Sequence, residues 1–87
     1  MPKFYAIHYT KKIPKLTPEQ AAGLKKAIAE AAKKMPQVKF NGAMWNPKSG
    51  IGVADCDAPD MKAAEEFMKA IGAPPCDIVV QVEPMVL

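Results

Sequence analysis

The sequence predicts an α+β domain in which a four-stranded antiparallel sheet carries two helices on one face, in the order β-α-β-β-α-β. Two observations carry this expectation. The chain half repeats itself: a strand-like run, a Thr17-Pro18 helix entry and a stop at Met35-Pro36 are echoed by a second run, an Ala58-Pro59 entry and a stop at Gly72-Ala73-Pro74-Pro75. Between the halves, Asn46-Pro47-Lys48-Ser49-Gly50 clusters turn-forming residues and makes a hairpin. Two β-α-β halves joined in this way form the ferredoxin-like arrangement. That fold hosts many unrelated functions, so the architecture alone names no chemistry.

The first strand runs from Phe4 to Thr10, with Tyr5, Ile7 and Tyr9 on one face and Phe4, Ala6, His8 and Thr10 on the other. The first helix has Thr17 as N-cap, Pro18 at its first position and Gln20 completing a capping box. Leu24, Ile28, Ala31 and Met35 recur at helical spacing as its buried stripe, while Lys25, Lys26, Lys33 and Lys34 crowd the rest of its surface. The second strand covers roughly Val38 to Trp45, and the third Ile51 to Asp57. Asp60, or the residues just before it, caps the second helix, whose stripe is Met61, Ala64, Met68 and Ile71; Gly72 suits a left-handed stop. In the last strand Ile78, Val80 and Val82 alternate with Val79, Gln81 and Glu83.

Eighty-seven residues make one small domain spanning 1–87, near the size at which oligomerisation aids stability. No apolar run approaches the roughly 20 residues that cross a bilayer, and the start lacks a signal-peptide layout. A cytoplasmic protein with Cys56 and Cys76 as reduced thiols is the expectation. The net charge of +3 divides unevenly: residues 1–48 carry ten lysines against Glu19 and Glu30, and residues 49–87 carry Lys62 and Lys69 against seven acids. Every basic residue is lysine. The missing arginine fork argues against a nucleic-acid interface, and a solvated helix face accounts for the lysines.

One sheet face is expected to carry both helices and the other to stay open. The open face is assigned Phe4, Ala6, His8, Ala54, Cys56 and Val79, a set apolar enough to form a dimer interface or a ligand floor. His8 and Cys56 are the candidate metal ligands, since imidazole and thiolate suit nickel, copper or zinc. The competing reading makes both plain core residues. If Ile7 faces Val53, the two lie four residues apart along the sheet, about 13 Å, and only a dimer would bring them together. Asp55, Asp57 and Glu83 are possible oxygen donors, and Cys76 lacks the C-x-x-C partner of a redox pair. Pro2, if exposed by removal of Met1 and buried in an apolar pocket, would be a secondary amine fit for general-base work.

Two resemblances bear on these candidates. The run Met1-Pro2-Lys3-Phe4-Tyr5, the segment Leu16-Thr17-Pro18-Glu19-Gln20 and Gly72-Ala73-Pro74-Pro75 before an apolar strand resemble the tautomerase superfamily. That likeness implies an isomerase with Pro2 as base, although the superfamily's substrate-holding arginines have no counterpart here. More of the chain is similar to a set of small ferredoxin-like proteins of largely unknown function that includes a nickel-responsive, nickel-binding member. The similarity rests on the strand carrying His8, the Leu-Thr-Pro-Glu helix entry, Trp45-Asn46-Pro47, Asp57-Ala58-Pro59-Asp60 and the run from Gly72 through Ile78. It implies a cytosolic homodimer that binds nickel or another soft divalent metal. Members often carry a cysteine where this chain has Ala54; Cys56 stands two residues later on the same strand face. A metal- or ligand-binding homodimer is therefore the leading expectation. The rivals are a Pro2-based isomerase and a partner-binding domain without ligand.

Overall fold

The computed structural model describes residues 1–72 and 75–87 and has the expected order. Strands β1 (Lys3–His8), β2 (Lys39–Trp45), β3 (Gly52–Asp57) and β4 (Ile78–Val82) form one antiparallel sheet in the order β2-β3-β1-β4, with helices α1 (Pro18–Lys34) and α2 (Met61–Ile71) on one face. Ala73 and Pro74, part of the expected second helix stop, lie outside the described residues.

The local signals account for the element ends. Thr17 Oγ1 accepts from the Gln20 backbone N–H at 3.1 Å, and Gln20 Oε1 accepts from the Thr17 N–H at 2.9 Å, closing the capping box. The Asp60 carboxylate caps α2 through the Ala63 N–H at 2.8 Å, and Gly72 ends it at φ 69°. At the hairpin, Asn46 Oδ1 accepts from the Lys48 and Ser49 N–H groups. Gly50 sits there at φ 77°, its carbonyl accepting from the Ile13 N–H at 2.9 Å, so the segment leaving β1 is tied to the hairpin. β1 stops at His8 rather than Thr10 because the next three N–H groups turn to a side-chain acceptor, Asp77.

Of the registers the sequence left open, the sheet adopts the one in which Ile7 pairs with Val53. The expected assignment of faces is reversed. Phe4, Ala6, His8, Cys56 and Val79 lie beneath the helices, with Phe4 and Cys56 fully buried in the core. The open face instead presents Lys3, Tyr5 and Ile7 of β1, paired with Asp57, Asp55 and Val53 of β3. The reason is electrostatic. Asp55 and Asp57 alternate with Ala54 and Cys56, and two carboxylates placed under a helix pair would lose their hydration. On the open face they are met by Lys3, whose Nζ lies 3.0 Å from Asp55 and 3.5 Å from Asp57.

The core joins the covered face to the helix stripes. Ala31 of α1 and Ala63, Ala64, Phe67 and Ile71 of α2 are buried, with Leu24, Ile28, Met35, Met61 and Met68 packed around them. Phe67, absent from the expected α2 stripe, is fully buried and stacks on Phe40 with ring centroids 6.1 Å apart. A bulge at Asn41 lets Phe40 pair with Cys56 while Gly42 pairs with Asp55. Beyond the bulge, Ala43 lies opposite Ala54.

Candidate binding site

The register that builds the sheet also leaves it underfilled. Ala43 pairs with Ala54, Ala54 with Ala6, and Ala6 with Val79, so one row straight across all four strands carries three methyl groups and one valine. Covered rows in such sheets are normally filled by larger side chains to close-packed density. Here Leu24 and Ile28 of α1 and Met61 and Met68 of α2 stand over the row without filling the space. The result is a half-open cleft of about 700 Å³ between sheet and helix pair, with exposed Ala43 at its rim, within the size range of small-molecule sites. Ala54 remains only half-buried although it belongs to a central strand on the covered face.

His8 lines this cavity from the end of β1 and is 7% exposed. Its Nδ1 lies 3.2 Å from the Lys11 carbonyl oxygen. That carbonyl belongs to a segment held by Asp77, whose carboxylate accepts from the N–H groups of Tyr9, Thr10 and Lys11 at 2.6, 3.0 and 3.1 Å and from the Thr10 hydroxyl. Loss of hydration alone would raise the Asp77 pKa; the hydrogen bonds outweigh it and hold the carboxyl well below the usual carboxylate range. Asp77 is thus the anchor of the β1–α1 connection. Its backbone N–H also donates to Ile7, continuing the β1–β4 pairing.

The structure does not bring His8 and Cys56 together within one chain. His8 pairs with Gly52 and Phe4 with Cys56, which sets the two side chains about 13 Å apart along the strands. Burial pushes the Cys56 thiol up to about 11, helped by the charges of Asp55 and Asp57 and opposed by Lys3. A thiol so disposed is a packed, protonated core group at neutral pH. Among the described residues, no group of three or more His, Cys, Asp or Glu side chains is gathered to hold a metal ion. Pro2 is exposed at the opposite end of β1 from His8, its carbonyl accepting from the Ala58 N–H at 3.1 Å. It is not in the apolar pocket that a lowered amine pKa requires. Cys76, half-buried, borders the cavity beside Asp77.

A second polar constellation occupies the open face. Lys3 bridges Asp55 and Asp57, and Asn41 Nδ2 donates to both carboxylates at 3.2 Å. The Asn41 hydrogen bond, then Lys3, lowers the Asp57 pKa against loss of hydration, and the hydrogen bond to Asp55 raises that of Lys3. These charges satisfy one another and sit among Tyr5, Ile7 and Val53. Sequence reasoning named Asp55 and Asp57 only as possible metal donors and missed the cavity, which no single motif encodes.

Comparison with known proteins adds to the fold and no further. No family model matches the chain, and no curated protein matches it. Among solved structures, the crystal structure of SCO4226 from Streptomyces coelicolor A3(2) aligns over 97% of this chain and 99% of its own, with a TM-score of 0.72 at 20% sequence identity. At that identity the likeness establishes a shared ferredoxin-like fold.

Proposed function

We propose that this chain is a small-molecule-binding module that holds a compact, mainly apolar ligand between its sheet and its helix pair. The observation that carries the reading is the alanine row Ala43–Ala54–Ala6 beneath Leu24, Ile28, Met61 and Met68, which leaves a half-open cleft of about 700 Å³ between sheet and helices. A two-ring aromatic such as 1-methylnaphthalene has suitable shape and polarity. Titrated into protein with labelled alanine methyl groups, it is expected to shift the Ala6 and Ala54 resonances saturably. Absence of any saturable shift at those methyls with both this probe and its hydroxyl analogue 1-naphthol would remove the reading. A metal-binding form, with nickel or another soft divalent ion at His8 and Cys56, would have to open the core that buries Cys56, because the two side chains lie about 13 Å apart beneath the helices. A Ni²⁺ melting-temperature shift that disappears in His8→Ala and Cys56→Ala would favour it.

The open face supports a homodimer as the assembly. Tyr5, Ile7, Val53 and Val80 lie side by side there as an apolar patch beside the internally paired Lys3, Asp55 and Asp57, the kind of surface that a two-fold contact buries. Sedimentation is expected to give a dimer that Val80→Lys converts to a monomer. A monomeric wild type at high micromolar concentration would exclude this assembly.

A further inference from the structure

We propose that His8 is the specificity-determining hydrogen-bond acceptor of the cavity, and that the ligand is a small apolar molecule carrying a hydroxyl group, of the phenol or alcohol class; this rests on the ligand-binding reading above. The reasoning begins with the tautomer. The Lys11 carbonyl accepts and cannot donate, so the 3.2 Å contact requires the proton on His8 Nδ1. In the neutral ring Nε2 then carries a lone pair. It has no hydrogen-bond partner among the described residues, and no buried side-chain nitrogen or oxygen among them is sealed away unpaired. Since His8 lines the cavity and is otherwise buried, that lone pair opens into it.

The other polar groups bordering the cavity do not compete for this role. Glu65 and Lys69 are exposed on α2 at the rim of the cavity, where water hydrates both charges. The Asp77 carboxylate is engaged by three N–H groups and the Thr10 hydroxyl. Cys76 offers only a thiol, a weak donor and acceptor. Among the described residues the interior therefore presents one strong polar atom, and it accepts. A carboxylate ligand would face it acceptor to acceptor, and a purely apolar ligand would strip water from Nε2 without replacing the hydrogen bond. A hydroxyl meets the requirement. Asp77 acts behind His8 as a positioning residue, because it fixes the segment whose carbonyl sets the tautomer.

The test uses two probes that differ in a single group, 1-naphthol and 1-methylnaphthalene, titrated calorimetrically into wild type, His8→Leu and His8→Gln. Wild type is expected to favour 1-naphthol by about tenfold relative to His8→Leu, the factor typical of one neutral hydrogen bond. His8→Gln, which keeps an acceptor, should retain part of that preference. Equal discrimination in wild type and His8→Leu would overturn the inference while leaving the cavity reading intact. Binding of neither probe to wild type would overturn both. Nitrogen NMR of the wild-type imidazole decides even if a variant fails to fold: a protonated Nδ1 with bare Nε2 is expected, and the opposite tautomer refutes the assignment.

Discussion

Replacing Ala54 by isoleucine turns the cavity into a question about the sign of a stability change. In a close-packed core the added ethyl and methyl groups would force displaced side chains, at a cost of about 1–3 kcal/mol. Ala54 instead sits in the middle of the alanine row, still half-buried, beneath a space of about 700 Å³. There the new carbons have room and bury apolar surface. At about 0.8 kcal/mol for each buried methylene, the three added carbons give an upper bound of about 2.4 kcal/mol, reduced because the unfolded chain already hides some of its surface. A gain of about 1–2 kcal/mol is expected, and in a domain of this size it raises the melting temperature by on the order of 5–10 °C. Isoleucine also suits the extended backbone of β3. Urea unfolding of both proteins, with Trp45 as the fluorescent reporter, measures the difference. A loss of stability comparable to ordinary overpacking would refute the premise that the row is underfilled, and with it the basis for a ligand site.

Other consequences are equally open to measurement. Phe67→Ala removes a fully buried ring stacked on Phe40 and is expected to cost about 3–5 kcal/mol, read as a lower urea midpoint; a change below about 1 kcal/mol would contradict the packing. Gly50→Ala should also destabilise, by about 1–3 kcal/mol, because φ is 77° and a Cβ would lie 2.7 Å from that of Lys12; an unchanged midpoint would contradict the tight contact. Asp77 is held below its ordinary pKa, so its contribution is present above the unfolded value near 3.9 and is lost as pH falls through the lower folded value. Asp77→Asn is therefore expected to flatten the acid limb of a stability–pH profile, and an unaltered limb would contradict the anchor. For Cys56 the sign is reversed: its stabilising term is intact below the unfolded thiol value near 8.5 and is lost as pH climbs towards about 11. Stability should drop more between pH 8 and pH 10 in wild type than in Cys56→Ala; equal drops would show that the thiol is not protected.

Much of the fold was legible because the signals were local. Thr17, Gln20, Asp60 and Gly72 mark helix ends by their own hydrogen bonds and backbone angles, and the Asn46–Gly50 cluster closes its turn the same way. The Ile7–Val53 register was not fixed by any local signal, because strand pairing is set between residues far apart in the chain. Which face the helices cover was not decided by β1, whose two sides are both apolar; the deciding signal lay in β3, where Asp55 and Asp57 flank Cys56 and must face water. Reading that alternation first would have placed His8 and Cys56 beneath the helices. The site was less legible because it is a deficit of volume rather than a motif. Ala43, Ala54 and Ala6 become one row only after three strands are paired and the Asn41 bulge has shifted the alternation of β2. The tautomer of His8 likewise depends on Lys11 and Asp77, the second of which is 69 positions away in the chain.

Intermolecular nuclear Overhauser contacts from 1-methylnaphthalene to assigned protein methyl groups test the ligand site most directly. A ligand held between sheet and helices is expected to show contacts from the same aromatic protons to Ala54 on the floor and Leu24 on the roof. Contacts confined to Ile7 and Val80 would place the ligand on the open face and contradict a site beneath the helices.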